Sequence, residues 1–119
     1  MSRDFRKLHV FQIADELLLR VYRISSFPRD ERFSLQAQLR RAALSTSTNI
    51  VEGSARRTTR DFLNFINIAA GSATEARYLS DVSGRLGFIP ERDATDLVGR
   101  YTELAARLQA LLVSLAPEP

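Results

Sequence analysis

Sixteen arginines and one lysine, Lys7, supply every cationic side chain of this 119-residue chain. Their chemistry is recognition rather than bond-making. A guanidinium is always charged and presents a planar fork of donors that grips phosphate or carboxylate at two points. The arginines come in groups, Arg40-Arg41 and then Arg56-Arg57 with Arg60. The charge is also lopsided. Residues 1–60 carry twelve Arg or Lys against six Asp or Glu, a balance of +6; residues 61–119 carry five against eight, a balance of −3. A basic half points to a polyanionic partner such as RNA or DNA. Two plainer readings compete: an ordinary solvated surface, and a base composition that favours arginine codons.

The residues needed for catalysis are scarce. There is no cysteine, hence no disulfide framework and no thiolate metal site. The single histidine, His9, lies in no Glu-x-x-His pair, so a di-iron site is not encoded. The five glycines, Gly53, Gly71, Gly84, Gly87 and Gly99, are too scattered to cradle a phosphate. Nucleophile–base pairs reduce to a serine or threonine beside His9, which reads instead as a surface or interface residue at a helix start. Glu52, near Asn49, is either a buried acid able to move protons or a structural carboxylate paired with Arg40 or Arg41. The expectation is a protein without metal or cofactor that is not an enzyme.

These residues must be carried by helices, because apolar residues recur at three- and four-residue spacing along the chain. A first helix is expected over 9–26, with Val10, Phe11, Ala14, Leu17, Leu18, Val21 and Tyr22 on one face. Pro28 stops it. A second spans 32–54, with Leu35, Leu39, Ala42 or Ala43, Thr46, Ile50 and Gly53 inward. Its second half, Ser45-Thr46-Ser47-Thr48-Asn49, is intrinsically poor at forming helix, so packing must stabilise it. A third spans 59–86, capped by Thr58 or Thr59 with Asp61 in its first turn. It buries Phe62, Phe65, Ile66, Ala69, Ala73 and Leu79, and ends at Gly87 in a left-handed cap. Within it, Ala69-Ala70-Gly71-Ser72-Ala73 reads as a close helix crossing. A fourth spans 90–114, opening with Pro90 at its first position and Glu91 and Asp93 in its first turn. Its stripe is Leu97, Tyr101, Leu104, Leu108, Leu111 and Leu112, with Pro117 past its end.

Short connections force these helices into a single-domain, all-α, antiparallel up-down-up-down four-helix bundle over residues 1–119. No apolar run approaches the roughly 20 residues of a membrane span, and no apolar segment follows the N-terminal charges as in a secretory signal. A cytoplasmic address is expected. The topology also places the N-terminus and the connection between the second and third helices at the same end. Arg3, Arg6, Lys7, Arg56, Arg57 and Arg60 then gather there against Asp4, Glu52 and Asp61. At the other end Arg29, Arg32, Arg85 and Arg92 cancel against Asp30, Glu31, Glu91 and Asp93. Arg56 and Arg57 also suit a helix C-terminus, where cations stabilise.

Several stretches together resemble one family. They are Asp4-Phe5-Arg6-Lys7-Leu8, Phe27-Pro28, and Glu31-Arg32-Phe33-Ser34-Leu35 leading into Gln38-Leu39-Arg40-Arg41-Ala42-Ala43. Then come Ser45 with Asn49-Ile50-Val51-Glu52-Gly53, Arg56-Arg57, Asp61-Phe62-Leu63-Asn64-Phe65 and Ala70-Gly71-Ser72-Ala73-Thr74-Glu75. Over residues 4–90 the chain is similar to the four-helix-bundle proteins encoded within 23S ribosomal RNA intervening sequences, often labelled ribosomal protein S23. The resemblance implies a homopentamer and kinship with the accessory variability determinant of diversity-generating retroelements, a pentamer associated with nucleic acid and reverse transcriptase. It makes Arg40, Arg41, Arg56, Arg57 and Arg60 candidate phosphate contacts, and gives Asn49, Glu52 and Gly53 structural or subunit-contact roles. Where the family commonly has Ile-Pro, this chain has Thr46-Ser47, so a proline kink does not carry over. Two functions follow as expectations: an oligomer that binds RNA or DNA, or a scaffold for a protein partner.

Overall fold

The structure is a computed structural model and describes residues 3–116; Pro117 lies outside them. Four helices carry the chain: α1 (His9–Arg23), α2 (Leu35–Ser54), α3 (Thr59–Arg85) and α4 (Glu91–Leu115). Short 3-10 turns at Phe5–Lys7 and Arg29–Glu31 precede the first two. The helices run lengthwise in a body of 47 × 21 × 21 Å. α3 packs against both α2 and α4, and α1 closes the bundle against α2 and α4. The antiparallel register shows in its cross-links. Ser45 Oγ and Ser72 Oγ share a hydrogen bond of 2.8 Å midway along α2 and α3. Glu16 pairs with Arg100 at 3.3 Å, and Arg20 with Asp96, so α1 runs down as α4 runs up.

The helix ends follow from their residues. Thr58 Oγ1 accepts the Asp61 N–H at 3.1 Å, so Thr58 rather than Thr59 caps α3. At the far end Gly87 takes φ +75°. Its N–H reaches the Gly84 carbonyl at 3.0 Å and the Phe88 N–H reaches Ser83 at 2.9 Å, the paired bonds of a Schellman cap. Three boundaries differ from expectation. α1 stops at Arg23, not residue 26, because Ile24 turns extended. The chain is then drawn across to the α3–α4 turn, where Ser26 Oγ donates to the Phe88 carbonyl at 3.1 Å and the Phe27 and Phe88 rings sit 6.4 Å apart. α2 begins at Leu35 rather than residue 32, since Arg29–Glu31 forms its own 3-10 turn and the Glu31 carboxylate accepts the Leu35 N–H at 3.2 Å. Pro90 is the N-cap of α4 rather than its first residue, with ψ 144°.

The core is a stack of the expected stripes. Leu17, Leu39, Ile50, Phe62, Ile66, Leu97, Leu104 and Leu108 are buried. Ile13 joins them from α1, while Tyr22, expected on that face, is 44% exposed. Fully burying one such side chain contributes about 1.5–3 kcal/mol. α2 and α3 pack closely, and the buried residues they bring are mostly small: Ala42, Ala43, Thr46, Ser47 and Gly53 on α2, and Ala69, Ala70, Ala73 and Ala76 on α3. Most of the buried hydroxyls are satisfied within their own helices, while Ser47 Oγ is buried without a hydrogen-bond partner. Thr46 donates to the Ala42 carbonyl at 2.8 Å, and Ser80 and Ser83 donate to Ala76 and Leu79 at 2.8 and 2.7 Å.

Glycine marks where the backbones come closest, and the position is not the expected one. A Cβ on Gly71 would meet nothing within 4 Å, so Gly71 stands on the outer face of α3 and is no helix crossing. The crossings are at Gly53, where a Cβ would lie 2.8 Å from Phe65 Cβ, and Gly84, where it would lie 2.4 Å from Ala94 Cβ. The sequence Ala-Ala-Gly-Ser-Ala misled because its alanines, not its glycine, face the core.

One large polar side chain is buried with its hydroxyl unpartnered: Tyr101, wholly enclosed. Burial pushes its phenol well above the ordinary tyrosine range. The folded state therefore holds Tyr101 neutral, and that contribution to stability is lost as pH rises past the unfolded value of roughly 10.

Two expectations follow for thermal melting. Gly84→Ala lowers stability by about 1–3 kcal/mol through overpacking, whereas Gly71→Ala raises it by roughly 0.5–1 kcal/mol through lost backbone entropy. Tyr101→Phe is neutral or stabilising by about 1 kcal/mol, and its stability declines less steeply above pH 10 than that of the parent, the pH stated on the same tyrosine scale.

Candidate nucleic-acid interface

The end of the bundle where α2 hands over to α3 is built by the residues just described. The close approach at Gly53 brings the C-terminus of α2 against the first turns of α3, leaving 55–58 as a tight connection. The N-terminal segment is then tied across it. The Arg3 N–H donates to the Ser54 carbonyl at 2.6 Å, and its Nη2 reaches Thr59 Oγ1 at 3.5 Å. The Arg3 guanidinium carbon sits 4.1 Å from the centroid of the buried Phe62 ring. Phe5 packs edge-on to Phe11 at 4.9 Å, and Gln12 Nε2 donates to the Arg6 carbonyl at 3.1 Å, fixing the 3-10 turn on α1. The N-terminus and the α2–α3 connection thus meet, as the topology requires.

Six cations share this pole: Arg3, Arg6, Lys7, Arg56, Arg57 and Arg60. All but Arg3 are exposed. The Arg56 guanidinium stacks over Phe65 at 4.6 Å, a placement worth about 0.5–1 kcal/mol at an exposed site. Of the carboxylates, Asp4 is engaged locally. It caps the 3-10 turn by accepting the Arg6 N–H at 3.1 Å and pairs with Arg6 Nε at 3.0 Å. The Arg6 hydrogen bond holds the Asp4 carboxyl below the ordinary aspartate range. Glu52 and Asp61 are exposed.

The five arginine candidates fall into two groups rather than one. Arg56, Arg57 and Arg60 lie at the pole. Arg40 and Arg41 lie in the first half of α2, roughly 20 Å away along its axis. Arg40 is half-buried: its guanidinium stacks on Tyr22 at 4.8 Å and its Nη2 donates to the Tyr22 carbonyl at 3.1 Å. Arg41, one residue on, is exposed. Adjacent helical residues point about 100° apart, and here that divides the pair between bundle and solvent.

The helix 2 candidates divide too. Gly53 is the close-approach glycine. Asn49 is half-buried and its Nδ2 donates to the Ser45 carbonyl at 2.8 Å and to Ser45 Oγ at 3.1 Å. Since Ser45 Oγ also bonds Ser72 Oγ, Asn49 completes a polar seam between α2 and α3. Glu52 pairs with neither Arg40 nor Arg41 and is no buried acid. It is exposed, and three helical turns separate it from both.

His9 is exposed at the start of α1. Among the described residues no group of His, Cys, Asp or Glu is placed to hold a metal ion, and no helix is long and apolar enough to cross a membrane.

Comparison with known proteins places the chain. The sequence profile of the family described as 23S rRNA-intervening sequence protein matches residues 6–110. A solved structure from Bacteroides thetaiotaomicron, described as a protein with unknown function from the S23 ribosomal protein family, superposes with a TM-score of 0.78 at 25% sequence identity, covering 87% of this chain and 97% of that one. No curated protein matches. The chain belongs to the 23S rRNA-intervening sequence protein family.

The Asp4–Arg6 pair makes a pH prediction. A depressed folded-state value contributes stability above the ordinary aspartate range and loses it as pH falls through the lowered value. Carbon-detected NMR titration should find the Asp4 midpoint below that of an unstructured aspartate. In Arg6→Ala the midpoint should return upward.

Proposed function

We propose that this member of the family is a non-enzymatic, self-associating bundle that binds nucleic acid through phosphate contacts from its arginine-rich pole. The observation that supports the reading is the meeting of six cations with three carboxylates at one end, where Arg3 is tied to Ser54 and Arg56 lies over Phe65. Guanidiniums braced in this way give up little side-chain freedom when a phosphate arrives. The family's name refers to an RNA, a polyanion of the right sign.

Self-association is the second half of the proposal. Five copies of a chain with formal charge +3 carry +15, and a ring with its subunits parallel sets five poles side by side. The exposed Arg41 and Glu52 on α2 are candidates for contact with a neighbouring copy, with Gly53 and Asn49 acting within the subunit. A cytoplasmic address suits this role. Contacts of this kind ignore base sequence and weaken steeply as salt displaces them.

A second reading, a scaffold for a protein partner, is favoured by one feature of α4. Val113 is 78% exposed, and α4 also borders a shallow, mainly apolar groove lined by Leu8, Val10, Ala110 and Leu111 with His9, Arg107 and Ser114. Under that reading the bundle self-associates but leaves nucleic acid alone.

Fluorescence anisotropy with structured RNA and duplex DNA across a salt series separates the two. The proposal expects affinity to fall about linearly on a log–log plot against salt. Arg56→Glu, Arg57→Glu and Arg60→Glu together should weaken binding by at least tenfold, while Val113→Glu leaves it unchanged. A flat salt response, or full affinity after the three reversals, contradicts the pole as binding surface. Static light scattering reads the assembly; a monomer at micromolar concentration contradicts self-association.

A further inference from the structure

The end opposite the pole carries two aromatic rings that stay open to solvent. Phe33, in the segment leading into α2, is 89% exposed, the most open of the large hydrophobic residues described, and Tyr22 is 44% exposed in the last turn of α1. Each has an arginine on its ring: Arg32 at 5.9 Å from the Phe33 centroid and Arg40 at 4.8 Å from that of Tyr22. The hydrogen bond from Arg40 to the Tyr22 carbonyl fixes the second stack.

The electrostatics around these rings are positive once every neighbour is counted. Counting the bundle end alone gave neutrality, but Arg23, Arg40 and Arg41 flank it as well. Residues 22–41 hold five arginines and two carboxylates, Asp30 and Glu31. Glu31 is occupied by the Leu35 N–H. Elsewhere at this end Arg20 is paired with Asp96 and Arg85 with Asp81, and Arg92 stands against Glu91 and Asp93, the last lining a shallow pocket with Arg23. The end keeps a balance of +2, carried by the α1–α2 connection.

An open ring flanked by guanidiniums suits a nucleobase better than an apolar peptide. A peptide anchor needs a desolvated pocket, and Phe33 stands between Arg32 and Ser34 with almost all its surface in water. A base has a π-face to stack on the ring and a phosphate to meet the arginine. Bases within a duplex already stack on each other and cannot reach such a platform. We infer that the α1–α2 connection binds unpaired nucleotides of single-stranded RNA or DNA, with bases stacked on Phe33 and the open part of Tyr22, phosphates held by Arg32 and Arg41, and Arg40 bracing the Tyr22 ring. This rests on the nucleic-acid reading above and refines it: the pole grips any backbone, and the opposite end selects unpaired strand. The two arginine groups, which fall about 20 Å apart, then have different jobs.

The test compares fluorescein-labelled oligouridine with an RNA duplex of equal length on the full chain and on Phe33→Ala, Phe33→Trp and the triple pole reversal. Phe33→Ala should melt at the parent temperature, since the side chain is almost fully exposed. It should weaken oligouridine binding roughly tenfold, the scale of one base–aromatic stack, and leave duplex binding within twofold. Phe33→Trp should retain or improve oligouridine affinity. Equal effects on the two probes, or none, overturn this inference while leaving the pole intact. Wild-type protein that binds neither probe sinks the nucleic-acid reading and this refinement with it. Unchanged oligouridine affinity together with loss of the oligomer in light scattering reassigns Phe33 to a contact between copies and also overturns it.

Discussion

The close approach of α2 to α3, through side chains of a few heavy atoms or none, is the constraint on which the rest of the molecule depends. The second half of α2 is made of residues that compete with their own backbone for hydrogen bonds. Thr46, Thr48 and Asn49 each bond a carbonyl within their own helix. Such a segment persists as helix because α3 packs along it, from the Ser45–Ser72 hydrogen bond to the contact of Gly53 with Phe62 and Phe65. The same smallness lets Gly53 sit on Phe65, and that contact delivers the end of α2 to the start of α3.

Charge follows from packing. Once α2 and α3 meet at Gly53, the connection between them is too short to spread its arginines, and the Ser54 carbonyl is left free to accept the Arg3 N–H. Arg3 then lies across Phe62, and the 3-10 turn follows with Arg6 and Lys7. The protein carries only a modest net charge, yet the pole gathers six cations against three carboxylates because helix ends and the N-terminal segment coincide there. Two of these arginines also shield aromatic carbon from water, so they serve stability and surface charge together. An arginine with both jobs is held in place before any ligand arrives.

Much of this was legible in the sequence, because the fold obeys local rules that short segments state openly. The apolar stripes, a threonine cap at 58 or 59, the Gly87 terminus and the shared end of the N-terminal segment and α2–α3 connection all follow from spacing and turn chemistry. What failed to show required knowledge of facing helices. Gly71 looked like a crossing because alanines surround it, but one residue of rotation decides whether a glycine faces the core or solvent. Gly84, the tightest contact, sits in an unremarkable stretch, and only Ala94 opposite reveals it. Glu52 looked like a partner for Arg40 because both belong to one helix, although three turns divide them. Periodicity puts Tyr22 with the core face, but the neighbouring Val21 takes the core position and the Tyr22 ring carries Arg40 instead.

The central claim is that the pole, rather than the length of the bundle, meets a nucleic acid, and backbone hydrogen exchange with and without a structured RNA tests it most directly. Slowed exchange concentrated at residues 3–8 and 55–62, with the middle turns of α3 and α4 unchanged, is the predicted result. Slowing confined to the middle of α4, or none anywhere at saturating RNA, would contradict the account.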